Sequence, residues 1–204
     1  MTMIDFQIVN LTLDQVLRVY PEQMVPTFPA DELKPLYMIK QALQRGEYLC
    51  LGATGGDDVL AIAFFVKIVR EGRTLMLFDY FAVREDLRNR GLGGRLLRAL
   101  IAEPFIADAD AVLLEVDEPD AAATPEALEI RNRRLAFYLR NGLRDTGAHA
   151  DVYGVTYRIL SLPTGRDLSP GEVRRTYAML YHSILPERLY RRWVFIDGLP
   201  EPRD

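Results

Sequence analysis

The chain has 204 residues, 49% of them hydrophobic and 26% charged, with 14 Gly and 12 Pro; this excludes a disordered chain, collagen-like repeats and a disulfide scaffold. Its 25 basic and 29 acidic residues give a net charge of −4, which argues against nucleic acid as a partner. One cysteine, Cys50, and two histidines, His149 and His182, supply no cluster for a metal.

In chain order, Ile4 to Asn10 is β-branched enough for a first strand. Thr12 with Gln15 three residues on forms a capping box that opens a helix through about Tyr20. Pro21, Pro26 and Pro29 then punctuate a loop, and a second helix runs from near Asp31 to Gly46 with Leu36, Ile39, Ala42 and Leu43 on one face. Three strands follow, Tyr48 to Thr54, Asp58 to Val69 and Thr74 to Val83, separated by Gly55-Gly56-Asp57 and Glu71-Gly72-Arg73. Those separators are hairpin signals, so the three read as an antiparallel meander.

After a polar link, Arg84 to Arg90, the glycines 91, 93 and 94 open a helix through about Ala102, ended by Pro104. Ala111 to Val116 is a buried strand, and Pro119 and Pro125 bracket a loop. A helix from Pro125 to Asn141 is closed by Gly142, and Leu143 to Asp151 pairs with Val155 to Leu162. His149 is read as solvated, in the loop joining these last strands. The class is α/β (α+β), a mixed and mostly antiparallel sheet of about seven strands flanked by helices, in the order β-α-α-β-β-β-α-β-α-β-β. Residues 1–162 form this domain. Residues 163–204 are a helical extension whose apolar Leu189, Trp193, Val194 and Phe195 need the core or a partner subunit as cover, a candidate homodimer surface.

The chemistry-bearing stretch is Val83 to Leu97, a strand, a polar link and then glycines at a helix start. Amides at a helix N-terminus lack intrahelical acceptors and carry the positive end of the dipole. Glycines let a phosphate approach that backbone, and Arg88, Arg90 and Arg95 add positive charge. A Walker loop would need Gly-Lys-Ser/Thr, and a dinucleotide fingerprint would need Gly or Ala where Leu96 stands. Neither is present. What remains is Arg88-x-x-Gly91-x-Gly93.

On that loop the chain resembles the GNAT superfamily of N-acetyltransferases. Asp79 to Val83 (DYFAV) resembles the family's fourth strand. Arg131 to Leu143 (RNRRLAFYLRNGL) resembles its fourth helix, ending Tyr-x-x-x-Gly. The resemblance covers roughly four-fifths of the chain. It implies the GNAT fold, acetyl-coenzyme A as cosubstrate without a metal, and transfer of acetyl to a primary amine of a small molecule or peptide by direct attack on the thioester. It assigns the backbone of Phe81, Ala82 and Val83 to the pantetheine arm. It assigns the amides of Arg88, Asn89, Arg90, Gly91, Leu92, Gly93 and Gly94 to the pyrophosphate. Asn132 lies one residue beyond the place where many relatives carry a pantetheine-contacting Asn.

Resemblance also makes Tyr138 the general acid. Asp79 is the first candidate base and Glu115 the second, either directly or through water. The acceptor is expected between residues 21–30 and 148–154. Two other classes remain open at this stage: a coenzyme A-binding sensor without catalysis, and an interaction protein with a vestigial pocket. No apolar stretch reaches the ~20 residues of a membrane helix and the first residues lack a basic targeting region, so the expected location is cytoplasmic, away from membranes.

Overall fold

The computed structural model describes residues 4–30 and 32–200. The elements run β1 (Gln7–Asn10), α1 (Leu13–Val19), α2 (Leu36–Gln44), β2 (Tyr48–Gly55), β3 (Asp58–Arg70) and β4 (Arg73–Val83). They continue with α3 (Leu92–Ile101), α4 (Pro104–Ala107), β5 (Ala111–Asp117), α5 (Pro125–Arg140), β6 (Arg144–Val152) and β7 (Val155–Ser161). The chain closes with α6 (Pro170–Ile184), α7 (Glu187–Trp193) and β8 (Val194–Ile196). The described residues divide into two compact units, one of residues up to Lys67 with Phe78–Leu100, the other of Ile68–Leu77 with residues from Ile101 on.

In the first unit the sheet order is β1-β2-β3-β4. β1 lies antiparallel to β2 with Gln7 opposite Thr54, and β2 antiparallel to β3 with Tyr48 opposite Val66. Val59 to Val66 of β3 is buried at every position, the pattern of a strand covered on both faces. Along Phe78–Val83 burial alternates instead: Phe78, Tyr80 and Ala82 are buried, while Asp79, Phe81 and Val83 share the partly open face. The α1 capping box is present, Thr12 Oγ1 accepting from the Gln15 amide at 3.2 Å and Gln15 accepting from the Thr12 amide at 2.9 Å.

Two sequence expectations are corrected here. The first helix does not stop at Tyr20 but widens into one further turn, Tyr20–Met24, in which the Val25 amide reaches back five residues to the Tyr20 carbonyl at 3.0 Å. Pro21 has no N–H to offer the preceding turn, so the ladder slips by one residue and buries Gln23 and Met24. The second helix begins at Leu36 rather than near Asp31, which lies outside the described residues. Pro35 disfavours helical geometry at Lys34. The end is as read: the Gly46 amide donates to Leu43 and the Glu47 amide to Ala42, with Gly46 at φ +70°, a glycine-closed helix end.

In the second unit the order is β4-β5-β7-β6-β8, with β7 antiparallel to both β5 and β6. Thr124 caps α5, its hydroxyl accepting from the Ala127 amide at 3.2 Å. Pro104 opens the four-residue α4 instead of merely following α3, as suits a residue with no N–H at a helix start. The tail is not wholly helical. Val194–Ile196 adds an eighth strand antiparallel to β6, with Val152 opposite Val194, where about seven were expected. Val194 and Ile196 are buried and Phe195 is exposed, the alternation of a short strand that covers an otherwise open edge. The buried stripe of α6, Val173, Thr176, Tyr177, Leu180 and Tyr181, recurs at helical spacing.

Candidate functional site

Past Val83 the chain leaves β4, makes one tight turn over Glu85–Leu87 and enters α3. Arg88 folds back on this turn: its Nε donates to the Val83 carbonyl at 3.0 Å and its Nη2 to Thr27 Oγ1 at 2.9 Å. The guanidinium thus ties the loop to the end of β4 and to residue 27. Asn89 and Gly91 both take left-handed backbone, φ +61° and +77°, and residues 88–91 are exposed. Leu92 is buried and packs with Leu60 and Leu87, which fixes the start of α3.

The first amide of α3 to find a partner one turn back is that of Arg95, on the Gly91 carbonyl at 3.2 Å. The amides of Leu92, Gly93 and Gly94 precede that bond and lie at the positive end of the helix. No atom lies within 4 Å of where a Gly91 Cβ would stand. Glycine is therefore required there by its backbone angle, and the space over the loop is open. These features fit an anionic diphosphate. Of the arginines expected to add charge, Arg95 is held by the Ile4 carbonyl at 2.5 Å and lies over the Phe6 ring, while Arg90 is exposed.

On the open face of β4, Asp79 is a buried carboxylate in a cage. Lys34 Nζ donates to its Oδ1 at 2.6 Å, and the Tyr48 hydroxyl donates to Oδ2. Burial, and then the Asp79 charge, push the Tyr48 phenol far above its ordinary value. The main chain around Lys34 is strapped to β4 as well: its amide donates to Tyr80 Oη at 2.8 Å, and the Tyr80 hydroxyl donates to the Glu32 carbonyl at 2.9 Å. The Tyr20 hydroxyl donates to the Lys34 carbonyl at 2.9 Å. Burial raises the Tyr80 phenol to about 12, against the opposing pull of Lys34. Sequence reasoning named Asp79 but missed Lys34 and Tyr48, which no motif marks. Phe81 and Val83 sit half-buried on the same face, with Ala82 buried on the other.

In the second unit Tyr138 is a buried residue of α5. Burial raises its phenol to about 12, with Arg134 pulling down and Asp117 pushing up. It keeps its proton at neutral pH. Asn132 is exposed on the same helix. Glu115, in mid-β5, accepts hydrogen bonds at Oε1 from the hydroxyls of Tyr177 and Tyr181, the latter at 2.5 Å. Both phenols come from α6, so the tail reaches the second candidate base. The sequence shows the two tyrosines four apart on one helix face, but not the carboxylate they face.

His149 is not in a loop. It lies within β6 opposite Arg158 of β7, because only Tyr153 and Gly154 separate those strands. His149 Nε2 is 2.9 Å from Glu118 Oε2, and Arg158 grips the same carboxylate at 3.0 and 2.9 Å. Burial alone would raise the Glu118 carboxyl, but the Arg158 hydrogen bonds and charge outweigh it and hold it below the usual range. Two arginines of α5 are engaged nearby: Arg131 donates to the Glu118 carbonyl at 2.8 Å and Arg134 pairs with Asp117 at 2.7 Å. The candidate residues thus fall into two sets. Asp79, Phe81, Ala82, Val83 and the 88–94 loop belong to the first unit, and Glu115, Asn132 and Tyr138 to the second. Among the described residues no three His, Cys, Asp or Glu side chains could hold a metal ion, and no helix is long and apolar enough to cross a membrane.

No curated protein matches the chain. Solved structures of similar fold include a GNAT-family acetyltransferase from Bacteroides thetaiotaomicron, 19% identical, with a TM-score of 0.61 over 87% of this chain and 95% of that one. The ribosomal-protein-S18-alanine N-acetyltransferase of Escherichia coli is 21% identical, with a TM-score of 0.55 over 80% of this chain and 97% of that one. Arabidopsis thaliana NAA60, solved in complex with a bisubstrate analogue, is 12% identical, with a TM-score of 0.56 over 80% of this chain and 100% of that one. The acetyltransferase (GNAT) family matches residues 13–140, a span that takes in the glycine loop, Asp79, Glu115 and Tyr138. With its loop, sheet and helices in that family's order, the chain belongs to the acetyltransferase (GNAT) family and is an acyltransferase.

Proposed function

We propose that the protein moves acetyl from acetyl-coenzyme A to a primary amine. The observation that carries this reading is the start of α3, where residues 92–94 present amides without intrahelical partners beside the exposed, left-handed Gly91. The amides of residues 89–94 would hold the pyrophosphate, that of Arg88 being already donated to the Glu85 carbonyl at 3.2 Å, and the main chain of Phe81–Val83 would hold the pantetheine arm. When bound, acetyl-coenzyme A supplies an activated thioester.

A free alkylamine has a pKa near 10.4, so at pH 7 only about one molecule in 10³ is neutral. A proton must therefore leave the acceptor before or during attack, and a positioned base is worth ~10²–10⁴ in rate. Asp79 already accepts a hydrogen bond at each oxygen, and Glu115 accepts two phenols at one oxygen. Either would take the proton through water rather than by unobstructed contact. Tyr138, near 12, is a much weaker acid than a thiol near 8.5. It would act as a hydrogen-bond donor to the leaving sulfur, with solvent completing the protonation.

Thiol release from acetyl-coenzyme A over a panel of primary amines tests the reading, with Tyr138→Phe as the comparison. Acceptor-dependent thiol release that falls about a hundredfold in the variant is the expected result. Cofactor binding without turnover for any amine would contradict the reading.

A further inference from the structure

We infer that Lys34 is itself an acetyl acceptor, a self-modification site set beside the chain's own candidate base. The inference rests on the acetyl-transfer reading and adds to it an acceptor that belongs to the protein. Lys34 Nζ lies 2.6 Å from Asp79 Oδ1 and 5.4 Å from the centre of the Tyr80 ring. Its main-chain amide and carbonyl are bonded to the Tyr80 and Tyr20 hydroxyls, so the residue is held at both ends. The lysine side chain is 28% exposed against 7% for the carboxylate, which makes the amine the open member of the pair.

Strand geometry brings the reactive end of the cosubstrate toward this pair. Asp79, Phe81 and Val83 share one face of β4, and α3 starts beyond Val83. An arm that leaves the pyrophosphate at residues 89–94 and runs back along Val83 and Phe81 carries its sulfur toward Asp79, which stands two residues, or roughly 7 Å, farther along the strand. Lys34, Asp79 and the loop all belong to the first unit.

The step balances within the pair. The Lys34 ammonium gives one proton to Asp79 Oδ1, and the freed Nζ lone pair attacks the thioester carbonyl. A C–N bond forms, the C–S bond breaks, and a second ammonium proton goes to the departing sulfur, giving coenzyme A as a thiol. The products on the chain are a neutral amide and a neutral carboxyl group, so both ends of the ion pair are discharged together. A buried carboxylate left charged and alone would be costly, and this route leaves none. Lys34 also fills the Oδ1 position that an external amine would need for direct contact with Asp79.

The chain carries its own controls, since its other lysines are Lys40 and Lys67, both partly exposed. The whole protein is incubated with acetyl-coenzyme A and no added amine, and acetylation of each lysine is followed by peptide mass mapping. Lys34 should react at least about tenfold faster than Lys40 or Lys67, at a rate independent of protein concentration, and excess coenzyme A should suppress Lys34 alone. Asp79→Asn should slow Lys34 about tenfold or more and leave the other two lysines unchanged. Equal rates at the three lysines, indifference to coenzyme A, or an unchanged Lys34 rate in Asp79→Asn would overturn the proposal. Calorimetric titration of coenzyme A into the parent chain separates the two failures. Binding with Lys34 unmodified overturns this inference alone, whereas no binding overturns the acetyl-transfer reading with it.

Discussion

Removing the Lys34 ammonium would leave the Asp79 carboxylate, whose side chain is only 7% exposed, with the Tyr48 hydroxyl alone. Lys34→Met should therefore cost about 2–4 kcal/mol of stability, read from urea denaturation. Asp79→Asn separates two roles for the carboxylate. If Asp79 is chiefly the anchor of the 32–34 segment, the variant loses stability and keeps the shape of its pH profile; if Asp79 is the base, the basic dependence of turnover flattens. The Tyr138 phenol, raised to about 12 by burial, keeps its proton below that value, so kcat should show no alkaline decline until about pH 11. A decline near pH 9 that vanishes in Tyr138→Phe would contradict this. At this scale the sequence was half legible. It singled out Asp79, Glu115 and Tyr138, but the groups that bond the carboxylates lie far along the chain: Lys34 and Tyr48 are 45 and 31 residues from Asp79, Tyr177 and Tyr181 are 62 and 66 from Glu115. No local spacing encodes such contacts.

Elements defined by short-range chemistry were read well. The capping box at Thr12, the glycine end of α2 and the Arg88-x-x-Gly91-x-Gly93 loop each depend on residues within one or two turns. Misreadings came where a proline acted otherwise than as a stop. Pro21 widened a helix rather than ending it, and Pro104 began one. His149 was misplaced because a two-residue turn leaves all of β6 in the sheet. That pairing has a consequence for acid stability. The Glu118 carboxyl is held below its ordinary value by Arg158, so its contribution is present above the unfolded value of about 4.3 and is lost as pH falls through the lower folded value. Glu118→Gln should be about 1–2 kcal/mol less stable at neutral pH and lose less on acidification than the parent chain. Melting temperatures between pH 7 and pH 3 check both; parallel curves would contradict it.

On the scale of the whole chain, the described tail from residue 163 on falls in the same compact unit as the described residues from Ile101. The tail supplies two phenols to Glu115, a strand to the edge of β6 and five buried residues from α6. A chain ended at Leu162 would strip all of these from the sheet. It is expected to lose cooperative unfolding, seen as a broad transition without the parent's heat absorption, rather than merely to change its oligomeric state. A sharp transition at the parent's temperature would contradict that and restore the tail as a detachable surface. The sequence announced the tail's apolar content but not its destination, since burial against a neighbouring element and burial against a partner leave the same hydrophobic pattern.

The account turns on whether the start of α3 holds a diphosphate. Calorimetric titration of coenzyme A into the parent chain and into Gly91→Glu asks this directly. Position 91 is exposed and has no neighbouring atom to clash with a new side chain, and its left-handed backbone makes the substitution cost about 1–2 kcal/mol of stability, so the variant should still fold. The expected result is one-to-one binding in the parent and at least about a hundredfold weaker binding in the variant. Equal affinity in a variant whose circular dichroism matches the parent would contradict the assignment of the loop.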